Sequence, residues 1–262
     1  MKFCSLYSGS SGNCLYIEDE DTKIIIDAGL SGKKIESALK SIDISPLDID
    51  ALLVSHDHID HTKGLGVLSR RYNIPIYANG GTWQAVRSSL GKLVEENIQV
   101  FNTHKIVNIG NLNIKPFPVV HDACEPVGFN IYNHNKKVSI ITDTGMITEE
   151  ILLHIKNSDL VLIESNHDIE LLKVGRYPYY LKKRILSNYG HLSNEDAAKT
   201  ILQLVKQGLR KVVLAHLSEE NNFPELAYET TTSLLRENGI IIDKDVYVEV
   251  ASRFKPSNVY NL

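Results

Sequence analysis

Short apolar runs alternate with stretches of helical periodicity along this chain, a rhythm that predicts strands and helices in turn. Residues 2–7 and 14–18 read as two strands of a hairpin around the small polar run Ser8-Gly9-Ser10-Ser11-Gly12-Asn13. Residues 23–27 read as a third strand, because Ile24-Ile25-Ile26 is β-branched and too short for a helix. Residues 33–42 have the spacing of an amphipathic helix that stops before Pro46, and residues 51–54 that of a buried strand. Helices are expected over 64–72 and 82–90. Strands are expected over 98–101, 112–117, 127–132 and 138–142, the last two joined by a turn at Asn133-His134-Asn135-Lys136.

Residues 160–163 and 212–215 are two more short buried runs. Between them Ser193 and Asp196 have the spacing of a capping box, with Ala197, Ile201, Leu204 and Val205 as the apolar face behind it and Gly208 as the stop. A last helix is expected from about residue 225 to residue 237. Helices both interrupt and follow two groups of strands, which predicts a layered α/β fold with helices covering two sheets. The length of 262 residues suits one domain spanning 1–262.

Composition narrows the chemistry. Hydrophobic residues make up 43% and charged residues 23%, an ordinary globular balance, and the net charge is −4. Affinity for a polyanion therefore has to come from a local patch or a bound metal. The three cysteines, Cys4, Cys14 and Cys124, are too scattered for a disulfide framework or a zinc ribbon. No apolar run approaches the ~18 residues of a membrane span, and the start lacks a signal-peptide core. The expectation is a reduced cytoplasmic protein without a membrane partner, and the oligomeric state stays open.

The strongest chemical signal is His56-Asp57-His58-Ile59-Asp60-His61, which directly follows the strand at 51–54. Three imidazoles and a carboxylate at these offsets suit Zn, Mn or Fe. His56 and His58 can converge on one ion from an extended loop, while Asp60 and His61 project toward a second. Further ligands should come from other strand ends: His121 follows Val119-Val120, Asp143 follows Ile140-Ile141-Thr142, and His216 follows the run at 212–215.

In this order and spacing, Asp27 in Ile26-Asp27-Ala28-Gly29, the HxHxDH block, His121, Asp143 and His216 resemble the five motifs of the metallo-β-lactamase superfamily. The resemblance implies a four-layer αβ/βα sandwich of two mixed β-sheets flanked by helices. It implies two divalent ions, zinc or manganese with iron also compatible: one held by His56, His58 and His121, the other by Asp60, His61 and His216, with Asp143 bridging. Asp27 would buttress the metal loop.

Within the superfamily, four features resemble the phosphodiesterase and nuclease branch. The segment after His121 has a Gly-aromatic strand start, Val127-Gly128-Phe129. Glu164 and His191 are similar to an acid–histidine pair that supplies a proton to the leaving oxygen. Residues 173–188 carry Lys173, Arg176, Lys182, Lys183 and Arg184 with no acidic residue, and Tyr177, Tyr179, Tyr180 and Tyr189 lie among or beside them. The Ser/Gly loop can bring backbone N–H groups to a phosphate. These motifs together resemble the YycJ (WalJ, VicX) family, associated with 5′→3′ exonuclease activity on DNA. The expected roles are Asp60, Glu164 and His191 in catalysis, and Ser10, Ser11, Asn13, His167, Arg176, Tyr179, Lys182 and Arg184 against a nucleic-acid end. An acyl hydrolase such as a thioesterase, or a metal-stabilised signalling partner without catalysis, are the alternatives.

Overall fold

The apolar runs become strands because they are flanked by turn residues and, in the central strands such as β3, β4 and β11, buried on both faces. A computed structural model describes residues 1–262. Six strands come first: β1 (Lys2–Tyr7), β2 (Cys14–Asp19), β3 (Thr22–Ile26), β4 (Ala51–Leu53), β5 (Ile76–Asn79) and β6 (Ile98–Phe101). Three follow: β7 (Val107–Ile109), β8 (Leu112–Pro118) and β9 (Val127–Asn133). The rest are β10 (Lys136–Ile141), β11 (Leu160–Glu164), β12 (Lys211–Ala215), β13 (Tyr247–Val250) and β14 (Tyr260–Asn261). Helices α1 (Gly32–Ser41), α2 (Ile59–Thr62), α3 (Leu65–Tyr72) and α4 (Gly80–Val86) lie among the early strands. Helices α5 (Glu149–Ile155), α6 (Ile169–Val174), α7 (Tyr179–Ile185), α8 (Asn194–Lys206) and α9 (Pro224–Glu237) lie among the late ones. The strands form two seven-stranded sheets: the alternation of runs predicts two sheets, and the family resemblance implies that they are mixed.

The chain groups into two compact units. The first comprises Met1–Pro118, Ala123–Asn135 and Ser252–Leu262; the second comprises Val119–Asp122 and Lys136–Ala251. In the first unit, β14-β1-β2-β3-β4-β5-β6 make one sheet, antiparallel from β14 to β3 and parallel from β3 to β6. One face carries Leu6, Tyr16, Ile25, Leu52 and Ile76 against Ile35 and Leu39 of α1, Leu65 and Leu68 of α3, and Trp83 and Val86 of α4. Ile24 and Ile26 point to the opposite face and are also fully buried, which explains why this run shows no polar alternation. Strands β7, β8 and β9 are antiparallel neighbours in the same unit. In the second unit β10, β11, β12 and β13 are all parallel, and Val161, Leu162 and Ile163 are wholly buried.

Local departures from expectation have local causes. α4 starts at Gly80, two residues early, because the Asn79 side chain caps it by accepting from the Thr82 N–H at 2.9 Å. The helix expected from residue 64 is preceded by the separate short turn α2. Ser193 caps α8 as predicted, accepting from the Asp196 N–H at 3.1 Å, but Asp196 answers the Ser193 hydroxyl. The four-residue β5 is too short to stand out and forms because β4 and β6 lie on either side of it. No helix is long and apolar enough to cross a membrane.

Parallel strands put like ends on one edge, and this places the chemistry. Asp27 follows β3, and Ser55 and His56 follow β4. Asp143 follows β10, Glu164 ends β11 and His216 follows β12. The histidine-rich segment is pinned in the first unit by backbone bonds. Asn13 N–H donates to the Asp60 carbonyl, Gly29 N–H to the Asn13 carbonyl and Ala28 N–H to the His61 carbonyl, each at 2.8 Å. The crossing needs glycine: a Cβ on Gly29 would lie 1.6 Å from the Asp60 carbonyl oxygen. Gly29→Ala is therefore expected to destabilise the protein by about 3 kcal/mol through overpacking and to shift residues 56–61. A urea titration that finds no loss would contradict this account of the crossing.

Candidate metal centre

In the first unit, the imidazoles of the HxHxDH segment gather tightly. The His56 ring lies 4.7 Å from that of His58 and 4.1 Å from that of His61, centre to centre. Asp27 anchors them from beneath. Its Oδ1 accepts from the Ser55 N–H at 2.8 Å, and its Oδ2 accepts from the Ser55 hydroxyl and from His61 Nδ1, each at 2.7 Å. The Ser55 hydroxyl has one proton and gives it to Asp27, so toward His56 Nδ1, 3.0 Å away, it is the acceptor. Both rings thereby carry their proton on Nδ1 and direct the Nε2 lone pair away from this anchor. Asn13 does not face a substrate. It is buried, its Oδ1 accepts from the Gly9 N–H, and its amide nitrogen lies 3.0 Å from His61 Nε2 and 3.4 Å from the Asp60 carboxylate. Ser10 and Ser11 are exposed at the tip of that loop.

The second unit builds its cluster on one carboxylate. Glu164 Oε1 accepts from both His191 Nδ1 and His216 Nδ1 at 2.8 Å. Its Oε2 accepts from the Thr144 N–H at 2.9 Å and the Leu192 N–H at 3.3 Å. Burial alone would push the Glu164 carboxyl up. The charge of His191 and the hydrogen bonds from both imidazoles outweigh it and hold the group below the ordinary carboxylate value. Asp143 Oδ1 lies 3.3 Å from His216 Nδ1 and 3.6 Å from His191 Nδ1. One donor atom from each of Asp143, Glu164, His191 and His216 lies within 4.8 Å of the others. The His121 Nδ1–H donates to the Gly190 carbonyl at 2.9 Å, and its Nε2 lies 3.8 Å from Asp143.

Three of these residues hold a backbone conformation that side chains other than glycine's seldom adopt. Asp27 has φ +60°, Asp143 φ +53° and His216 φ +55°. Each sits just beyond a strand of a parallel pair.

The donor set fits a divalent cation. Imidazole and carboxylate are ligands that zinc and manganese accept. His56, His61, His121 and His216 each have Nδ1 held by an oxygen, the arrangement that orients an imidazole to bind a metal through Nε2. Glu164 Oε1 is already shared by two N–H donors, which marks it as an orienting group. Ser55, Thr144 and the Gly190 carbonyl take part without any signal in the sequence beyond their closeness to the motifs.

Two more expected substrate contacts, besides Asn13, are placed differently. His167 is 1% exposed, so it does not meet a strand lying on the surface, and neither ring nitrogen has a hydrogen-bond partner. Arg184 grips Asp122: Nε and Nη2 meet the two carboxylate oxygens, the second at 2.8 Å. Its guanidinium is a bidentate clamp on the carboxylate beside His121. Arg176 and Tyr179 are exposed, and Lys182 reaches the Lys173 carbonyl at 2.7 Å.

Sequence comparison bears on which fold family holds this site. The β-lactamase superfamily domain matches residues 22–217. The chain is 41% identical to exodeoxyribonuclease YycJ of Bacillus anthracis over 239 residues, covering 91% of this chain and 90% of that one. It is 43% identical to exodeoxyribonuclease WalJ of Streptococcus pneumoniae D39 over 250 residues, covering 94% and 93%. Among solved structures, the metallo-β-lactamase fold protein YhfI of Bacillus subtilis superposes with a TM-score of 0.73 at 13% identity, covering 98% of each chain.

Burial of His167 has a consequence in acid. Desolvation lowers its pKa from 6.5 to about 4, against the opposing pull of Glu164, Asp168 and Asp196. Between those values the unfolded chain takes up a proton that the folded one refuses. The folded state is thus at full strength above about pH 6.5 and loses up to about 1.4 kcal/mol per pH unit as pH falls toward 4. His167→Gln removes this ionisation, so its urea midpoint should fall less than the parent's between pH 7 and pH 5; equal losses would refute the assignment.

By these matches the chain belongs to the β-lactamase superfamily, in the family of the YycJ and WalJ proteins.

Proposed function

We propose that this protein is a metal-dependent exonuclease that hydrolyses the phosphodiester bonds of DNA, consuming a strand from its 5′ end. The observation that carries the phosphodiester reading is Glu164 Oε1 shared between His191 and His216. An alkoxide leaving group needs a proton, and His191 is built to give one. Its Nδ1–H is fixed on Glu164, so Nε2 is the ring nitrogen left to carry a proton to the leaving group. The ring is partly exposed and can be reached from solvent. The names of the YycJ and WalJ relatives support DNA as the substrate.

His56, His58 and His121 would hold one divalent ion and Asp60, His61 and His216 the other, with Asp143 shared, as the family resemblance implies. Zinc or manganese suits these ligands, and iron is compatible. Two such ions lower the pKa of a water and neutralise phosphate charge. The protein's own groups do the rest. Asp60, held by Asn13, orients the attacking water. Asp27 keeps His61 in the correct tautomer through its Nδ1 bond. The transferred proton passes from His191 Nε2 to the departing deoxyribose oxygen.

His191→Ala is expected to keep its metal and lose roughly 10²–10⁴-fold in kcat on DNA. A p-nitrophenyl phosphodiester should suffer much less, because its leaving group departs as a stable anion. Full DNA cleavage by the metal-loaded variant would remove His191 from this role. Strands labelled at one end set the direction: 5′-labelled DNA should release label as short product before the strand shortens. Turnover of a thioester in place of any phosphodiester would overturn the nuclease reading.

A further inference from the structure

The second unit exposes aromatic side chains where a folded protein would ordinarily bury them. Tyr179 is 81% exposed, Tyr180 74% and Tyr189 62%. Tyr179 and Tyr180 start α7, and Lys183, four residues after the first and three after the second, is a helix-surface neighbour of each; all three are exposed. Arg176 stands exposed just before them. Residues 173–188 carry five cations and no acid within a chain of net charge −4. Lys173 pairs with Glu170, Arg184 with Asp122, and Lys182 reaches the Lys173 carbonyl; Arg176 and Lys183 are the other two cations and both are exposed beside the tyrosines.

The chain just after α7 is held fast. The Asp122 N–H donates to the Tyr189 carbonyl at 3.1 Å, and His121 Nδ1 to the Gly190 carbonyl. A Cβ on Gly145, two residues after Asp143, would meet the Asn188 carbonyl at 2.3 Å. The segment carrying the tyrosines is thus rigidly joined to the loops of His121 and Asp143.

We infer that the outward face of α7 is a platform for an unpaired stretch of DNA strand. Bases stack on Tyr179 and Tyr180, and phosphates pair with Lys183 and Arg176. Only an unpaired strand offers base faces to such rings; a closed duplex hides them. The positive local charge selects a polyanion over an apolar protein partner. Arg184, gripping Asp122, positions the platform against the His121 loop. This inference rests on the nuclease reading and names the form in which that substrate is held.

The test is fluorescence anisotropy with the full-length, metal-loaded protein and a labelled phosphorothioate oligonucleotide of about 20 nucleotides, single-stranded or as a blunt duplex. Tyr179→Ala/Tyr180→Ala should weaken single-strand binding by at least about 10-fold, with melting temperature and metal content matching the parent. Tyr179→Phe/Tyr180→Phe keeps the rings and should stay within about 2-fold of the parent. Lys183→Ala should lower the salt dependence of binding by about one counterion. Single-strand affinity unchanged in the double-alanine protein, or a parent that binds the blunt duplex equally well, overturns the platform. If the parent cleaves no DNA yet binds single strands through the tyrosines, the platform stands and the nuclease reading falls. If it cleaves DNA while the double-alanine protein binds as the parent does, the platform alone falls.

Discussion

Two buried carboxylates organise everything that this protein can do chemically. Asp27 in the first unit accepts from one imidazole Nδ1 and Glu164 in the second from two, in each case with one oxygen, while the other oxygen accepts from backbone N–H. An unpaired buried carboxylate would be too costly to keep ionised. Here the hydrogen bonds that stabilise the charge are the same ones that choose the histidine tautomers. Folding and ligand orientation are one event. A change that loosens either carboxylate disturbs the stability of its unit and the aim of several rings together.

The histidine-rich segment was legible because its members stand within six residues, so no tertiary information was needed to see them converge. Asp143 and His216 were legible for a different reason: each follows a short apolar run that becomes a strand of a parallel pair, and such strands align their ends, whereas His121 was marked only by the Val119-Val120 run after the antiparallel β8. What stayed hidden depends on distance. Arg184 meets Asp122 across 62 residues, and no local pattern ties the two together. His167 reads as a loop histidine, yet the turn after β11 folds inward and encloses it. Ser55 is an ordinary serine until the position of Asp27 makes its hydroxyl an acceptor for His56. The fold was clearest where runs were long or β-branched. It was obscured at β5, β7, β13 and β14, whose two to four residues are too few for a period to show.

Electrostatics divides in a similar way. The chain as a whole is acidic, and the segment at 173–188 is basic. Several of its cations are spent on internal tasks, such as Arg184 on Asp122 and Lys182 on the Lys173 carbonyl. Counting charges along the sequence therefore overstates what is offered to solvent. The aromatic rings beside them are committed to no such task, and their exposure is the more discriminating sign of a surface shaped for a ligand.

The left-handed backbone at Asp27, Asp143 and His216 has a use at the bench. Asparagine enters this conformation readily, whereas valine or isoleucine is heavily strained in it. Asparagine at either aspartate would keep the shape of the turn and delete only the charge. A branched aliphatic residue would break the turn and confound the two effects. In a saturation library these positions should thus separate tolerated shapes from required charges, and read out at the edge of a sheet which part of each residue is architecture and which part is chemistry.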